Sequence, residues 1–144
     1  MQLTQFSDYA LRTLVYISSS PNQFATITEI SDYFGISRNH LVKVVHHLAN
    51  HDVIITTRGK NGGIRLARSP KEIVIGDVVR ITEQNQDVVE CFNAKTNKCV
   101  ITPTCRLQQV FHEAHNAFLN VLDSYTLDDA LWKKIDLNAL SSKV

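Results

Sequence analysis

The chain has 144 residues, of which 44% are hydrophobic and 20% are charged, and its formal net charge is +1. These values are typical of a folded globular protein and exclude a disordered chain. No apolar run approaches the ~20 residues that a membrane-spanning helix requires, and the first residues lack the pattern of a secretory signal. We therefore expect a cytoplasmic protein that does not associate with membranes.

The first helix is predicted over residues 3–19, and it has apolar side chains on more than one side. Residues at helical spacing form its main apolar face: Leu3, Phe6, Ala10, Leu14 and Ile17. Leu11 and Val15 widen this face, so we expect something besides the helix's own domain to cover it. Asp8 and Arg12 stand four residues apart on the remaining side and could form an ion pair.

A helix-turn-helix motif is predicted next. A short helix begins after Thr28 as its cap and ends at Phe34. A turn at Gly35 leads to a third helix over residues 38–50, with a buried stripe of Leu41, Val44, Val45 and Leu48. Polar residues at the start of this helix would meet DNA in a major groove: Ser37 (its cap), Arg38, Asn39, His40 and Lys43. Periodicity alone does not separate this motif from an ordinary helical hairpin.

A basic β-hairpin follows the motif. Residues 53–57 and 64–67 are predicted strands, and the six residues between them contain three glycines and two cations. Residues 35–70 carry six lysines and arginines against one acidic residue, so positive potential is concentrated where DNA phosphates would lie. Helices followed by such a hairpin predict a winged helix. The hairpin residues expected to contact DNA, with the tip in a minor groove, are Arg58, Lys60, Asn61, Gly62, Gly63 and Arg65.

The carboxy-terminal half predicts two more helices. One begins at Ile75, and the longest begins with Thr102 as its cap and Pro103 as its first residue. An apolar seam follows the long helix: Leu107, Val110, Phe111, Ala114, Phe118, Val121 and Leu122. The seam predicts a dimerisation helix, and packing against the chain's own winged helix is the alternative. The tail beyond Tyr125, which contains Trp132, predicts one short helix.

These elements predict a mainly α protein with a small β-hairpin. We expect a winged helix-turn-helix domain over residues 1–82, a cysteine-bearing segment over residues 83–105, and a dimerisation helix with a tail over residues 106–144. His47 and His51 stand four residues apart without a third metal ligand, so we expect them to be solvated or to face phosphate. The sequence shows no paired carboxylates, phosphate-binding glycine loop or nucleophile–base spacing, and we do not expect an enzyme.

All three cysteines lie in one fifteen-residue stretch, at Cys91, Cys99 and Cys105. Zinc sites usually contain close C-x2-4-C pairs, which this stretch lacks, whereas its wide spacing suits an iron–sulfur cluster. Cys105 is expected in the first turn of the long helix, where free N–H groups would favour its thiolate. Three cations would offset an anionic cluster: Lys95, Lys98 and Arg106. A cluster is the preferred interpretation, with zinc and a bare thiol switch left open.

Six segments together resemble the Rrf2 family of dimeric winged-helix regulators, and the last of them brings the resemblance closest to the family's nitric-oxide-sensing repressors. The segments are Gln2–Thr4, Asp8–Arg12, Ser37–His40, Arg58–Leu66, Ile75–Arg80 and Cys99–Leu107. The resemblance extends from residue 1 to about residue 130 and covers all the predicted domains.

The resemblance implies a cluster bound by the three cysteines and by a fourth ligand that is not cysteine. In the nitric-oxide-sensing members this ligand is an acidic residue of the first helix, which corresponds to Asp8 of the partner subunit. An ion pair with Arg12 is the competing interpretation of that residue. An iron–sulfur-assembly regulator of the family uses a histidine where this chain has Gln108, and His112 and His115 are weaker candidates further along the helix.

The function implied by the resemblance is that of a homodimeric repressor of a palindromic operator in double-stranded DNA. An intact [4Fe-4S] cluster would maintain DNA binding, and nitric oxide would destroy the cluster and release the DNA. Two alternatives stay open: an iron- or redox-sensing [2Fe-2S] regulator of the same family, and a DNA-binding module with structural zinc.

Overall fold

The computed structural model describes residues 2–131. Its helices and strands, in chain order, are α1 (Gln5–Ser19), β1 (Phe24–Ala25), α2 (Ile27–Phe34), α3 (Arg38–Asn50), β2 (Ile54–Thr57), β3 (Gly63–Leu66), α4 (Ile75–Thr82) and α5 (Arg106–Asp123). The predicted fold class is confirmed, since a helix-turn-helix is followed by a small antiparallel hairpin and a long carboxy-terminal helix. None of the described helices combines the length and apolarity that a membrane crossing requires.

Helix α1 forms the centre of the hydrophobic core. Ala10, Leu14 and Ile17 have no exposed surface, and they pack among the buried residues of α3 and the sheet. Leu11 and Val15, on the widened apolar face, are only partly covered within the chain. The helix begins at Gln5 because the Thr4 hydroxyl accepts a hydrogen bond from the Ser7 amide at 3.3 Å.

Three helix starts differ from the prediction, the first being that of α1, which begins at Gln5 rather than at residue 3. Thr26, not Thr28, caps α2, because Thr26 and Glu29 form a reciprocal capping box in which the Glu29 carboxylate accepts from the Thr26 amide at 2.7 Å. The long helix begins at Arg106 rather than at Pro103, since Cys105 has extended backbone angles (φ −83°, ψ 111°) that end a separate 3-10 turn over Thr102–Thr104. Cys105 is therefore the residue before α5 and does not lie in its first turn.

The sheet has three strands in the order β1-β3-β2, and β1 was not predicted. Phe24 pairs with Arg65, and Ala25 pairs with Ile64, so this two-residue strand covers the outer edge of the hairpin. Gly63 permits the close approach, because a Cβ atom at that position would collide with the Phe24 ring. The strand closes the wing onto the helical core.

The end of α5 returns to the winged-helix part of the chain. The Arg80 guanidinium donates to both Asp123 carboxylate oxygens, at 2.5 and 2.6 Å, and a side chain on Gly76 would overlap that carboxylate. Beyond α5, Leu127 is buried, and its amide donates to the Ile73 carbonyl at 2.8 Å. Residues 126–131 form a bridge and turns, while the rest of the tail, with Trp132, lies outside the described residues, so the short helix expected there stays a prediction.

Candidate DNA-binding face and cysteine site

Helix α3 presents two opposite faces. The predicted stripe of Leu41, Val44, Val45 and Leu48 is buried, as expected. The residues predicted to contact DNA are exposed: Ser37, Arg38, Asn39, His40 and Lys43. Ser37 precedes the helix at the expected position, but its hydroxyl does not cap the helix and so is available to a ligand. The arrangement exposes the amino-terminal end of α3, as insertion into a major groove requires.

Three exposed residues of α3, the last being Asn50, were not among those predicted to face outward. Val42 is 50% exposed, and His46 is exposed one helical turn further along. They belong to an outward row at helical spacing that lies opposite the buried stripe: Asn39, Val42, Lys43, His46 and Asn50. Helical spacing could have identified them, because steps of three and four residues from Asn39 follow the face opposite the buried stripe.

His40 lies beside α1 rather than in the middle of the exposed face. Its ring is 6.2 Å from the Tyr9 ring, and both residues line a cleft of about 270 Å³ between α1 and α3 together with Gln5, Phe6, Lys43 and Val44. One flank of α3 is therefore bordered by α1. The opposite flank, which carries Val42, stays open.

The wing has a narrow basic tip. Arg58, Lys60 and Asn61 are exposed, and the amide of Gly62 donates to the carbonyl of Gly59 at 2.9 Å to close the turn. Gly59 has φ 107°, which favours glycine, and a Cβ atom on Gly62 would overlap the Thr57 carbonyl. Gly62 thus permits the tight turn at the tip, while Gly63 is required at the base of the hairpin, where the Phe24 ring packs on it.

Arg65 occupies the base of the wing. Its guanidinium lies 4.8 Å from the centroid of the Phe24 ring, and it donates to the Asn22 carbonyl at 3.4 Å. The side chain is exposed. A contact between Arg65 and DNA would therefore be made beside the hairpin rather than at its tip.

The three cysteines are free thiols, and each is half-buried. Cys91 lies in a 3-10 turn over Glu90–Phe92, the Cys99 amide donates to the Asn97 side chain at 2.9 Å, and Cys105 precedes α5. Within residues 2–131, no group of three or more His, Cys, Asp or Glu side chains is close enough to hold a single metal ion. The chain by itself does not gather the thiols around one point. A cluster distributes its ligands over several irons, so this donor set still fits one.

Gln108 and His112 hold the Cys91 turn against α5. The Gln108 amide donates to the Cys91 carbonyl at 2.9 Å, and the His112 ring is stacked on Phe92 with centroids 3.8 Å apart. His115 meets the same Phe92 ring edge-on at 6.1 Å. These contacts bring the first cysteine beside the first turns of the helix that follows the last cysteine. In the described chain Gln108 and His112 therefore position the segment.

The rest of the cysteine segment is linked by polar contacts. The Thr102 hydroxyl donates to the Cys99 carbonyl at 2.8 Å, and the Glu90 carboxylate accepts from the Lys98 amide at 2.7 Å. Val100 is 92% exposed, and Lys95, Lys98 and Arg106 are exposed as well. The segment is thus fixed by hydrogen bonds and carries a basic, solvent-accessible surface around its thiols.

Asp8 forms the ion pair that its spacing predicts. Arg12 donates to one Asp8 oxygen through Nε at 3.0 Å and to the other through Nη2 at 2.8 Å. The Asp8 side chain is 43% exposed. Both carboxylate oxygens are therefore occupied within the chain, while the group remains accessible to a second molecule.

Glu83 connects the helix that carries Asp8 to the start of the cysteine segment. Its carboxylate accepts from the Thr4 amide at 2.7 Å and from the Ser7 hydroxyl at 2.6 Å, at the beginning of α1. Glu83 is also the first residue after α4, and its amide donates to the Val79 carbonyl. A displacement of the segment would therefore act directly on the amino-terminal end of α1.

The predicted dimerisation seam is open in the single chain. Helix α5 has no buried residue among those described, and Leu107, Val110 and Val121 are each more than half exposed. Ala114 and Phe111 are exposed, and Phe118 and Leu122 are partly covered near α4. The seam as a dimer interface stays a prediction, and its exposure leaves it available for that purpose.

His47 differs from the prediction of a solvated or phosphate-facing side chain. Its Nε2 hydrogen-bonds the Ile81 carbonyl at 2.6 Å, and its ring lies edge-on to Phe6 at 5.3 Å. His47 therefore joins α3 to α4. His51 lies beside it, with ring centroids 4.6 Å apart, and is exposed.

Comparisons with known proteins identify the family. Residues 3–132 match the family described as "Rrf2: Iron-dependent Transcriptional regulator". The chain is 51% identical to the HTH-type transcriptional regulator NsrR of Geobacillus kaustophilus, over 97% of this chain and 96% of that protein. It is 45% identical to the NsrR of Bacillus subtilis, over 97% of each chain.

Solved structures share the fold. The global cysteine regulator CymR of B. subtilis matches with a TM-score of 0.74 at 22% identity, covering 90% of this chain and 95% of that one. IscR of T. potens matches with a TM-score of 0.70 at 21% identity, covering 100% and 92%. The resemblance drawn from the sequence motifs is confirmed. The chain therefore belongs to the Rrf2 family of transcription regulators and is a DNA-binding repressor rather than an enzyme.

Proposed function

We propose that the protein is a homodimeric repressor that binds its operator while it holds an iron–sulfur cluster and releases the operator when nitric oxide reaches that cluster. The observation that carries the proposal is the set of three free, half-buried thiols on one segment, between the winged helix and the exposed seam of α5. The segment lies between the winged helix and α5 along the chain, which supports a role in connecting the two.

The cluster would be held by Cys91, Cys99 and Cys105, with Asp8 of the partner subunit as the fourth ligand. When bound, a [4Fe-4S] cluster would supply a nitric-oxide-reactive iron, the one that has no cysteine ligand. The cations at positions 95, 98 and 106 would stabilise the negative charge of the group. Gln108 would keep the Cys91 turn on α5 through the hydrogen bond to the Cys91 carbonyl.

Asp8 would exchange its ion pair with Arg12 for the bond to the cluster. Exposed pairs of this kind stabilise a protein by about 0–1 kcal/mol, so the exchange costs little. If the site is lost, the carboxylate returns to Arg12 within its own chain, where both oxygens are bound. The Asp8 carboxylate would thus have a second partner to return to, which suits a reversible connection between subunits.

The change at the site would reach DNA through the orientation of the two heads. Two hydrogen bonds from Arg80 to Asp123 connect the end of α5 to α4. The hydrogen bond from Ser7 to Glu83 connects the end of α4 to the start of α1. Two-fold dimers bind half-sites about 34–36 Å apart. A rotation of the heads relative to the seam would change the distance between the two recognition helices, which would then no longer fit successive major grooves.

The test is to purify the protein anaerobically, count iron and sulfide per chain, and measure DNA affinity before and after a chelator removes the iron. About four irons and four sulfides per site, with tight binding only in the loaded form, is the expected result. Two of each would favour the [2Fe-2S] alternative, to which the family description "iron-dependent" lends support. A colourless protein with stoichiometric zinc, or DNA affinity unaffected by iron removal, would contradict the proposal.

A further inference from the structure

The outward row of α3 contains one apolar residue, Val42, which is 50% exposed. Its neighbours one turn away are Asn39 and His46, and Lys43 is adjacent. Single exposed apolar side chains are ordinary on protein surfaces, so the exposure by itself has no meaning. The position is what matters, because this row is the part of α3 that a major groove would receive.

Val42 also has the properties of a preorganised apolar contact. A β-branched side chain in a helix has one strongly preferred χ1 rotamer, so little side-chain entropy is lost when it meets a partner. Valine is a weaker helix former than lysine, arginine or glutamine, so an exposed helix position gains nothing from it in local stability. Helix α1 borders the opposite flank of α3 at His40. The flank that carries Val42 is exposed, so a ligand can reach it.

The major groove offers one apolar group, the 5-methyl of thymine, and valine offers no hydrogen bond to the other base edges. Asn39, one turn before Val42, is the residue type that reads adenine through two hydrogen bonds. We propose that Val42 packs against a thymine 5-methyl and specifies a thymine in each half-site. This inference rests on the proposed insertion of α3 into the major groove, and it is independent of the signal that the cluster detects.

The test uses deoxyuridine, which lacks only the 5-methyl of thymine. A preferred operator is selected from random duplexes with the anaerobically purified homodimer, and each thymine is then replaced singly by deoxyuridine. Burial of one methyl-sized group corresponds to about a fourfold change in affinity. We expect about fourfold weaker binding at one thymine position in each half-site, and little change at the others.

The Val42→Ala variant supplies the second arm. It should bind the unmodified operator several-fold more weakly than the wild type and should not respond to deoxyuridine at the sensitive position. Ile55→Ala is the matched control, because Ile55 is a β-branched residue of similar exposure (55%) on β2, and it should keep the wild-type response.

Three outcomes overturn the inference: a wild type that tolerates deoxyuridine at every thymine, a Val42→Ala variant that keeps the wild-type sensitivity, or failure to select any duplex. The last outcome would also contradict the operator binding on which the proposed function depends. If the methyl dependence is found but nitric oxide leaves DNA binding unchanged, the proposed signal fails and the reading of thymine by Val42 stands.

Discussion

The winged-helix part and the cysteine-bearing part of this chain differ in how many side chains they bury. Among the described residues, every buried side chain lies at or before Thr82, with the exception of Leu127. Residues 83–105 and helix α5 bury nothing completely. The first part has its own hydrophobic core, whereas the second is held by hydrogen bonds and by partly covered contacts. We therefore expect the stability of the winged-helix part to depend on its own core, and the stability of the cysteine-bearing part to depend on its ligands.

The largest effect is expected from Cys99→Ser. A hydroxyl is a poor substitute for thiolate as a cluster ligand, so the variant should lose the bound cluster and, with it, operator affinity by about tenfold or more. Far-UV circular dichroism of the iron-free variant should match that of the iron-free wild type, because no core residue is touched. Thr96→Ala, an exposed change in the same segment, is the control. A Cys99→Ser variant that retains full iron would contradict the assignment.

A pair of leucine truncations sharpens the comparison of the two parts. Leu14→Ala removes a fully buried side chain and should lower the free energy of unfolding by about 2–5 kcal/mol. Leu107→Ala, at 60% exposure on the seam, should leave the fold intact and weaken dimerisation. Denaturant unfolding and sedimentation analysis measure the two effects. If Leu107→Ala leaves the dissociation constant of the dimer unchanged, the seam of α5 is not the interface.

Asp8→Ala and Arg12→Ala separate cluster ligation from the ion pair. Both remove the same surface pair, which contributes about 0–1 kcal/mol, so both should have similarly small effects on stability. Only Asp8→Ala should shorten the lifetime of the cluster and alter the response to nitric oxide, because Arg12 is not a ligand. Equal behaviour of the two variants in anaerobic cluster-loss kinetics would show that Asp8 acts solely as the partner of Arg12.

The smallest effect concerns the attachment of α5 to α4. The hydrogen bonds that Arg80 donates to Asp123, with its positive charge, hold the pKa of that carboxyl below its ordinary value of 3.8. A lowered folded-state pKa gives stability that is present above the ordinary pKa and is lost as the pH falls through the folded-state value. We therefore expect Asp123→Asn to flatten the decline of the thermal midpoint below about pH 4. Parallel declines in the variant and wild type would exclude this contribution.

Much of the head could be predicted from sequence because its signals are local. The buried stripe of α3 and the glycine-rich tip of the wing follow from periodicity and turn chemistry within a few residues. Strand β1 could not be predicted, since two residues give no pattern and their partner, β3, lies about forty residues later. Val42 was not predicted to face DNA, because an apolar residue beside the buried stripe has the same sequence signal as a core residue.

The cysteine-bearing part was harder to predict from sequence, because its contacts do not follow a periodic pattern. The early start predicted for α5 relied on Pro103 as a first helical residue, but the extended backbone of Cys105 interrupts the helix there. The hydrogen bond from Gln108 to the Cys91 carbonyl joins residues seventeen apart through an irregular loop. Such a side chain to backbone contact leaves no periodic trace. The motifs predicted which residues would be ligands, but the way in which the segment is held became visible only in the folded chain.

The most direct test of this account is an anaerobic titration of the loaded homodimer with nitric oxide, following the cluster absorption and operator binding in the same sample. We predict that DNA is released in step with the loss of the cluster signal, while far-UV circular dichroism shows the winged-helix part unchanged. Operator binding that persists after the cluster signal has gone would contradict the proposed function.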